Sequence, residues 1–536
     1  MTRLAICVWL ALAAWPGGMG AALAQDQAAA IEELKKEMRE LRREVTAKNK
    51  KIEELERRLD AVQKAASATA AAKEPMKAET AKVEAKKEGT SHQAALDEAV
   101  RAAQRPKEEK AKAETATPQE ALEQAVKTVQ APQEQAARPD LLSRKVGGAT
   151  LRLIDVSLDA LIAGGTSTLR DRQLQLIQGG GHDPRKRGFT VQNVELSLTG
   201  AVDPYFNGET HIIFFIDPIS GETVVELEEA FLTTQKLPWG LQLKGGQFFT
   251  EFGRINPQHP HAWNWLDQPV INTRLFGPDG MRGPGARVSW LTPLPWYSQL
   301  YLSMQNANGE TMSSFLANEE FFEERLIGGY PFFNRPVKTL KDLTYLARVE
   351  NSWNLSESVS SKLGFSGIYG PNATGLHGDT WIYGADLVVK WRPAKNYQGW
   401  PFLLWESEIM KRDYHAKPDI AGVPANTLRD WGFYTQLLWG FYPRWAVGVR
   451  GEYASGAGSN VSFDPTTGIT EIVSRNTDAF RDNRTRISPL LVWHPSEFSR
   501  LRVQYNYDWT ARLQKDAHTV WFGAEFLYGA HPAHKY

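Results

Sequence analysis

From about Leu141 onward, apolar and polar residues alternate with a period of two. In WIYGADLVVKWR, Trp381, Tyr383, Ala385, Leu387, Val389 and Trp391 share one face, while Asp386, Lys390 and Arg392 share the other. LTYLARVENSW and RLRVQYNYDWT repeat the form, and Val520 to Tyr528 repeats it through Phe522, Ala524 and Phe526. Successive strand side chains point to opposite faces, so each run has one greasy and one wet side. Aromatic residues near the strand ends point to strands that cross a bilayer. The pattern predicts sixteen strands, at 151–163, 189–202, 208–217, 223–235, 240–249, 284–292, 297–307, 343–355, 358–369, 380–392, 401–413, 430–440, 444–454, 484–494, 500–510 and 518–529. An even count suits a closed single-chain barrel. Short connections rich in turn residues (DPYFN at Asp203, KLPWG at Lys236, TPLPW at Thr292, FYPR at Phe441, HPSEF at His494) alternate with long ones at 164–188, 250–283, 308–342 and 455–483. Short periplasmic turns and longer external loops are expected of such barrels. Trp239, Trp296 and Trp445 then form a periplasmic aromatic girdle.

Ahead of this region the period changes. Ile31, Leu34, Met38, Leu41, Val45, Ile52, Leu55, Leu59 and Val62 follow a heptad spacing broken once, at Lys48. That predicts a coiled coil and therefore self-association. The Ala/Lys/Glu-rich stretch that follows is interrupted by Pro75, Pro106, Pro118 and Pro132 and has too few large apolar residues to bury a core. The fold expected is a membrane all-β protein: an antiparallel transmembrane β-barrel of about sixteen strands, preceded by a periplasmic α-helical coiled coil. The first residues carry Arg3, an apolar run from Leu4 to Trp15 and the small-residue site Ala22-Leu23-Ala24, the layout of a secretory signal. The domains read as a signal peptide at 1–24, a coiled coil at 25–65, a low-complexity periplasmic linker at 66–140 and the barrel at 141–536.

The sole cysteine, Cys7, lies in the signal, so the remainder offers no disulfide and no thiolate. Formal net charge is zero, which argues against a nucleic-acid partner. No GxSxG elbow, HExxH pair or phosphate loop is present, and no catalytic residue, cofactor or enzymatic activity is expected.

The long connection 250–283 holds RINPQHPHAWNW, with two histidines, two prolines and two tryptophans. AFLTT at Ala230 followed by LQLKGGQFFTEFGR at Leu241 resembles the phosphate-selective (O/P-like) porin superfamily, through Gly246, Gln247, Phe248, Phe252 and Gly253. The resemblance implies a third loop that folds inward and narrows the pore, and a trimeric assembly. Pro257, Pro260 and Pro269 stiffen this loop, and Trp263 and Trp265 can wedge against the inner wall. The constriction residues are expected to be Arg254, His259, His261, Asp267, Arg274, Asp279 and Arg282. The lumen wall is expected to carry Lys244, Arg287, Arg348, Glu350, Asp386, Lys390, Glu406, Arg450, Arg502 and Asp508. Phosphate-binding members of the superfamily carry basic clusters, whereas this loop has no lysine and the wall mixes signs. No metal site is assigned. An i, i+2 histidine pair in extended chain points two ways, zinc requires three or four ligands, and His531 and His534 fall at the other end of the barrel.

The function these features predict is an outer-membrane porin of a Gram-negative bacterium, passing small hydrophilic solutes or ions by passive diffusion. The alternatives are a tether to the cell wall through the coiled coil, and an anion/phosphate-selective or metal-ion-related channel. Expected partners are the lipid bilayer, lipopolysaccharide and peptidoglycan, with further copies of the chain. A trimer is favoured by the resemblance, while Ile31, Val45 and Ile52 against Leu34, Leu41 and Leu55 in the heptad seam keep a dimer open.

Overall fold

The computed structural model describes residues 154–529, apart from 465–466, 469, 474–476 and 514, together with 143–146 and 149–152. The signal, coiled coil and linker, the tether reading built on them, and His531 and His534 lie outside the described residues. Sixteen antiparallel strands close into one barrel. They are β1 (Asp155–Ser167), β2 (Gly188–Ala201), β3 (Phe206–Ile216), β4 (Thr223–Thr234), β5 (Leu241–Phe249), β6 (Arg282–Leu291), β7 (Tyr297–Asn306) and β8 (Leu343–Ser356). The ring continues through β9 (Val359–Pro371), β10 (Asp379–Trp391), β11 (Phe402–Ala416), β12 (Asn426–Tyr442), β13 (Trp445–Ala457), β14 (Arg484–Ser496), β15 (Ser499–Thr510) and β16 (Ala517–Gly529). Each is hydrogen-bonded to the next, and β16 closes on β1 from Thr519↔Ser167 to Gly529↔Ser157.

Every strand expected from the period-two pattern is present. The largest shift is in β1, expected at 151–163. Residues 149–152 instead pair with 143–146 in a separate short hairpin. At its far end β1 runs on through Gly164 and Gly165, which the sequence pattern puts in the long connection 164–188. Here the glycines make room: a Cβ on Gly165 would stand 2.2 Å from the Trp521 ring of β16.

Side chains alternate as strand geometry requires. In β12, Trp431, Phe433, Leu437 and Trp439 face outward and are exposed, while Asp430, Tyr434, Gln436 and Leu438 face inward and are buried. The outer surface is accordingly apolar and the inner surface largely polar. At the short-turn end, the Trp445 and Trp493 rings stack 5.7 Å apart, and Trp239 lies exposed.

Register shifts interrupt five of the pairings among the described residues, and two of them re-aim inner-wall side chains. Between β1 and β2 the register skips Gln192, and between β3 and β4 it skips Glu228. The extra residue lets two consecutive side chains turn toward the same face. Gln192 with Asn193, and Glu228 with Glu229, are all buried.

The core is inside the barrel. The connection after β5 enters the lumen as a short turn at Pro260–Ala262 and a helix at Val270–Phe276. Its Phe252, Ile255, Trp263, Ile271, Leu275 and Phe276 pack on inner-wall Leu346, Ile368, Ile382, Met410 and Tyr434. The connection after β7 forms a second apolar layer at the long-loop end, where Phe322, Ile327 and Tyr330 meet Tyr414, Leu428 and Val461.

Candidate functional site in the barrel lumen

The inward loop is tied at its base. Thr250 N–H donates to the Met281 carbonyl at 2.9 Å, and the Asn256 amide donates to the carbonyls of Thr250 (2.7 Å) and Met281 (3.0 Å). From there the loop crosses to the wall opposite its own strand. Glu408 of β11 accepts from Arg254 N–H at 2.7 Å and from the Tyr434 hydroxyl at 2.8 Å. Glu406 takes the Arg254 guanidinium at 2.8 Å and the Asn264 amide at 3.2 Å. Farther along, Trp265 Nε1–H donates to the Ser488 carbonyl of β14 at 2.9 Å. Glu452 of β13 accepts from Val270 N–H at 2.6 Å, at the start of the loop helix.

Asp267 is the hub. One oxygen meets the Arg450 guanidinium and the Gln504 amide (2.8 Å). The other accepts from Arg486 (2.9 Å), Asn506 (2.7 Å) and Gln178 (3.1 Å). Burial pushes the Asp267 carboxyl up, but the two guanidiniums outweigh burial and hold it well below its usual range.

The residues singled out in sequence therefore divide. Asp267 and Arg274 present no charge to water. Asp267 is sealed as described, and Arg274 is buried on the loop helix with Nη2–H donating to the Asp482 carbonyl at 2.5 Å. Burial lowers the Arg274 guanidinium to about 10. Their place in a constriction field is thus corrected: distant parts of the chain enclose both, strands β13–β15 for Asp267 and the connection before β14 for Arg274. Arg282 is the first residue of β6 rather than part of the loop, and pairs with Glu226 of β4. Asp279 lies 3.9 Å from His182.

On the wall, Arg348 binds Asp386 at 2.5 Å and Glu350 at 3.2 Å. Arg450 adds Glu452 at 2.7 Å, Arg502 binds Glu525 at 2.7 Å, and Asp508 takes Arg484 at 2.6 Å and Arg486 at 2.8 Å. Arg348, Asp386, Glu406, Arg450, Arg502 and Asp508 are buried rather than facing open water. Arg287 and Lys244 both engage Glu251, the latter at 3.4 Å. Charged side chains that keep solvent contact include Lys244, Glu251, Arg254, His259, His261, Glu350 and Lys390, a set of mixed sign.

His259 and His261 come together with Glu195 of the inner wall and with His211, Glu228 and Glu229, which the sequence pattern does not single out. His261 Nδ1 lies 2.8 Å from Glu195 Oε2 of β2, and His259 Nδ1 lies 3.3 Å from Glu195 Oε1. His211 Nδ1 of β3 is 2.9 Å from the same Oε1. Glu228 and Glu229, turned inward at the bulge, meet His259 Nδ1 at 2.6 Å and Nε2 at 2.8 Å. The chain is not extended across the two histidines: the turn at Pro260–Ala262 places their rings in a stack 5.6 Å apart, which corrects their expected separation. Burial pushes the His259 imidazole down, and Glu195 and Glu228 outweigh it and hold the ring well above its usual range; for His261 burial is outweighed by Glu195 and the ring is raised. The signal for this cluster was the pair Glu228-Glu229 inside a strand, where strict alternation allows only one inward residue.

No family model matches the chain. A protein of Aquifex aeolicus (strain VF5), described as uncharacterized, is 29% identical over 377 residues, which cover 67% of this chain and 73% of that protein. Among solved structures, the outer membrane channel DcaP of Acinetobacter baumannii is similar with a TM-score of 0.45 and 12% identity, covering 72% of this chain and 100% of that one. The anion-selective porin from Comamonas acidovorans gives 0.41 and 9%, covering 70% and 100%. OprB of Pseudomonas putida gives 0.39 and 10%, covering 70% and 94%.

Proposed function

We propose that the chain is an outer-membrane porin through which small hydrophilic solutes or ions diffuse passively, along a path that the inward loop makes narrow. The observation that carries this reading is a closed barrel, apolar outside and polar inside, with one of its own loops folded into the lumen. A barrel of this strand number leaves an aqueous channel unless something fills it. Here the loop takes most of that space, and the groups left in contact with solvent are of both signs. Fixed charge and width select ions in such a passage, and mixed charge supports weak selectivity rather than phosphate selectivity. Membership of the phosphate-selective porin superfamily belongs to the same reading; its Gly246-Gln247-Phe248 element forms β5 and the entry to the loop. So do a trimer, contact with lipopolysaccharide and the absence of enzymatic activity.

Planar-bilayer recording of the purified full chain tests it. The expected result is discrete, low-conductance steps with a reversal potential near zero in a salt gradient. A large anion-selective potential would favour the phosphate reading instead, and Arg254, the loop arginine with solvent contact, would be the first residue to replace with alanine. Folded protein inserted in bilayers without any conductance would overturn the proposal.

A further inference from the structure

We propose that Glu195, His211 and His259, with Glu228 and His261 beside them, bind one divalent transition-metal ion that staples the inward loop to strands β2–β4. The wall supplies Glu195, His211, Glu228 and Glu229, and the loop supplies His259 and His261. An ion shared between them would bridge two parts of the molecule that otherwise meet here only through side chains.

Three observations carry the assignment. The first is spacing. Glu195 Oε1 stands 2.9 Å from His211 Nδ1 and 3.3 Å from His259 Nδ1. Nitrogen and oxygen ligands about 2.0–2.1 Å from a zinc ion lie roughly 3.3 Å from one another at the corners of a tetrahedron. One ligand atom from each of the three residues lies within 4.8 Å of the others. The second is the proton on His259. Its Nε2 faces Glu229 Oε2 at 2.8 Å, the arrangement in which a carboxylate takes the ring N–H and leaves the other nitrogen as a ligand. That other nitrogen, Nδ1, is buried 2.6 Å from Glu228 Oε2, and neither atom has an aligned hydrogen bond. An imidazole nitrogen and two carboxylates thus converge on one point, where either a proton on Nδ1 or a metal ion that displaces it balances the negative charge. The third is charge. Glu195, Glu228 and Glu229 are buried together, and isolated carboxylates are costly to bury. Imidazole and carboxylate ligands in combination suit borderline divalent ions such as zinc.

The site deepens the channel reading, since an ion here would fix the loop that narrows the path. The binding itself is tested without conductance. Full chain folded in detergent is stripped with chelator and dialysed against Zn²⁺ at about pH 7.5, where imidazoles can give up protons to a metal. Metal content and calorimetry should show one Zn²⁺ per chain, saturable at micromolar or lower concentration. His259→Gln and His211→Gln should abolish it, and Glu229→Gln should weaken it by about 10–100-fold. His415→Gln, which alters a histidine paired with Asp379 elsewhere in the barrel, should leave it intact. If a variant fails to fold, Co²⁺ bound to the unaltered chain decides, by intense visible bands of four- or five-coordinate nitrogen and oxygen ligation. No saturable Zn²⁺ or Co²⁺ binding, weak six-coordinate bands alone, or unchanged affinity in His259→Gln would overturn the site. Conductance without metal binding would sink this inference and spare the channel; metal binding without conductance would do the reverse.

Discussion

Replacing Asp267 with alanine is expected to unseat the inward loop, lower the unfolding free energy by about 3 kcal/mol and raise single-channel conductance. The carboxylate is fully enclosed and serves five side chains from four separate segments. Removing one partner of a buried ionic network strands the other charges, which typically costs about 3–5 kcal/mol. The lower end applies because Arg450 keeps Glu452 and Arg486 keeps Asp508. Urea unfolding of the detergent-folded protein gives the energy, and bilayer recording gives the conductance. The same hub sets acid behaviour. The folded carboxyl is depressed, so its contribution is fully present above the ordinary value of 3.8 and is lost only as pH falls through the much lower folded value. The anchor should therefore hold through mild acid, and a wild-type loop released near pH 5 would contradict this account.

Trp265→Ala is expected to destabilise the barrel by a similar amount, about 3–5 kcal/mol. The ring is buried at 1% exposure among Leu438, Ala446, Leu490 and Val492, with the Arg450 guanidinium 5.4 Å from its centroid. The wall is shaped for it: Gly448 has no side chain where the ring lies, and a Cβ there would sit 3.1 Å from Cη2. Trp265→Phe keeps much of the apolar contact and loses the hydrogen bond to Ser488, so its cost should be closer to about 1–3 kcal/mol. Urea midpoints of the two variants, compared with wild type, check the ordering. Equal midpoints for Trp265→Ala and wild type would mean that the ring does not seat the loop.

The barrel was legible because one physical rule, alternation across a two-faced sheet, repeats sixteen times, and each repetition is local in sequence. The departures come from particular residues. Gly164 and Gly165 fall in the expected connection 164–188, yet extend β1, where Gly165 leaves room for Trp521 and Gly164 for Phe189. Arg282 sits in a glycine-rich run that reads as loop, but pairs with Phe249 at the start of the β5–β6 ladder. The lumen was legible only in outline. That Trp263 and Trp265 press on the wall followed from their bulk, but the fate of a loop charge depends on residues far away: Asp267 meets Arg450 and Arg486 across separations of 183 and 219 residues. His259 and His261 were misplaced because an i, i+2 pair was read as extended chain, whereas Pro260 begins a turn. Glu228 joined them through a bulge, which exact alternation hides.

The most direct test of a lumen filled by its own loop is to remove that loop and record current. Asn256 and Met281 are joined by a 2.8 Å hydrogen bond, so residues 257–279 can be replaced by a short Gly/Ser linker without opening the β5–β6 hairpin. The strands should stay, and conductance should rise on the order of ten-fold over the full chain as water takes the vacated space. Equal conductance with and without the loop, in barrels shown to be folded, would contradict the account.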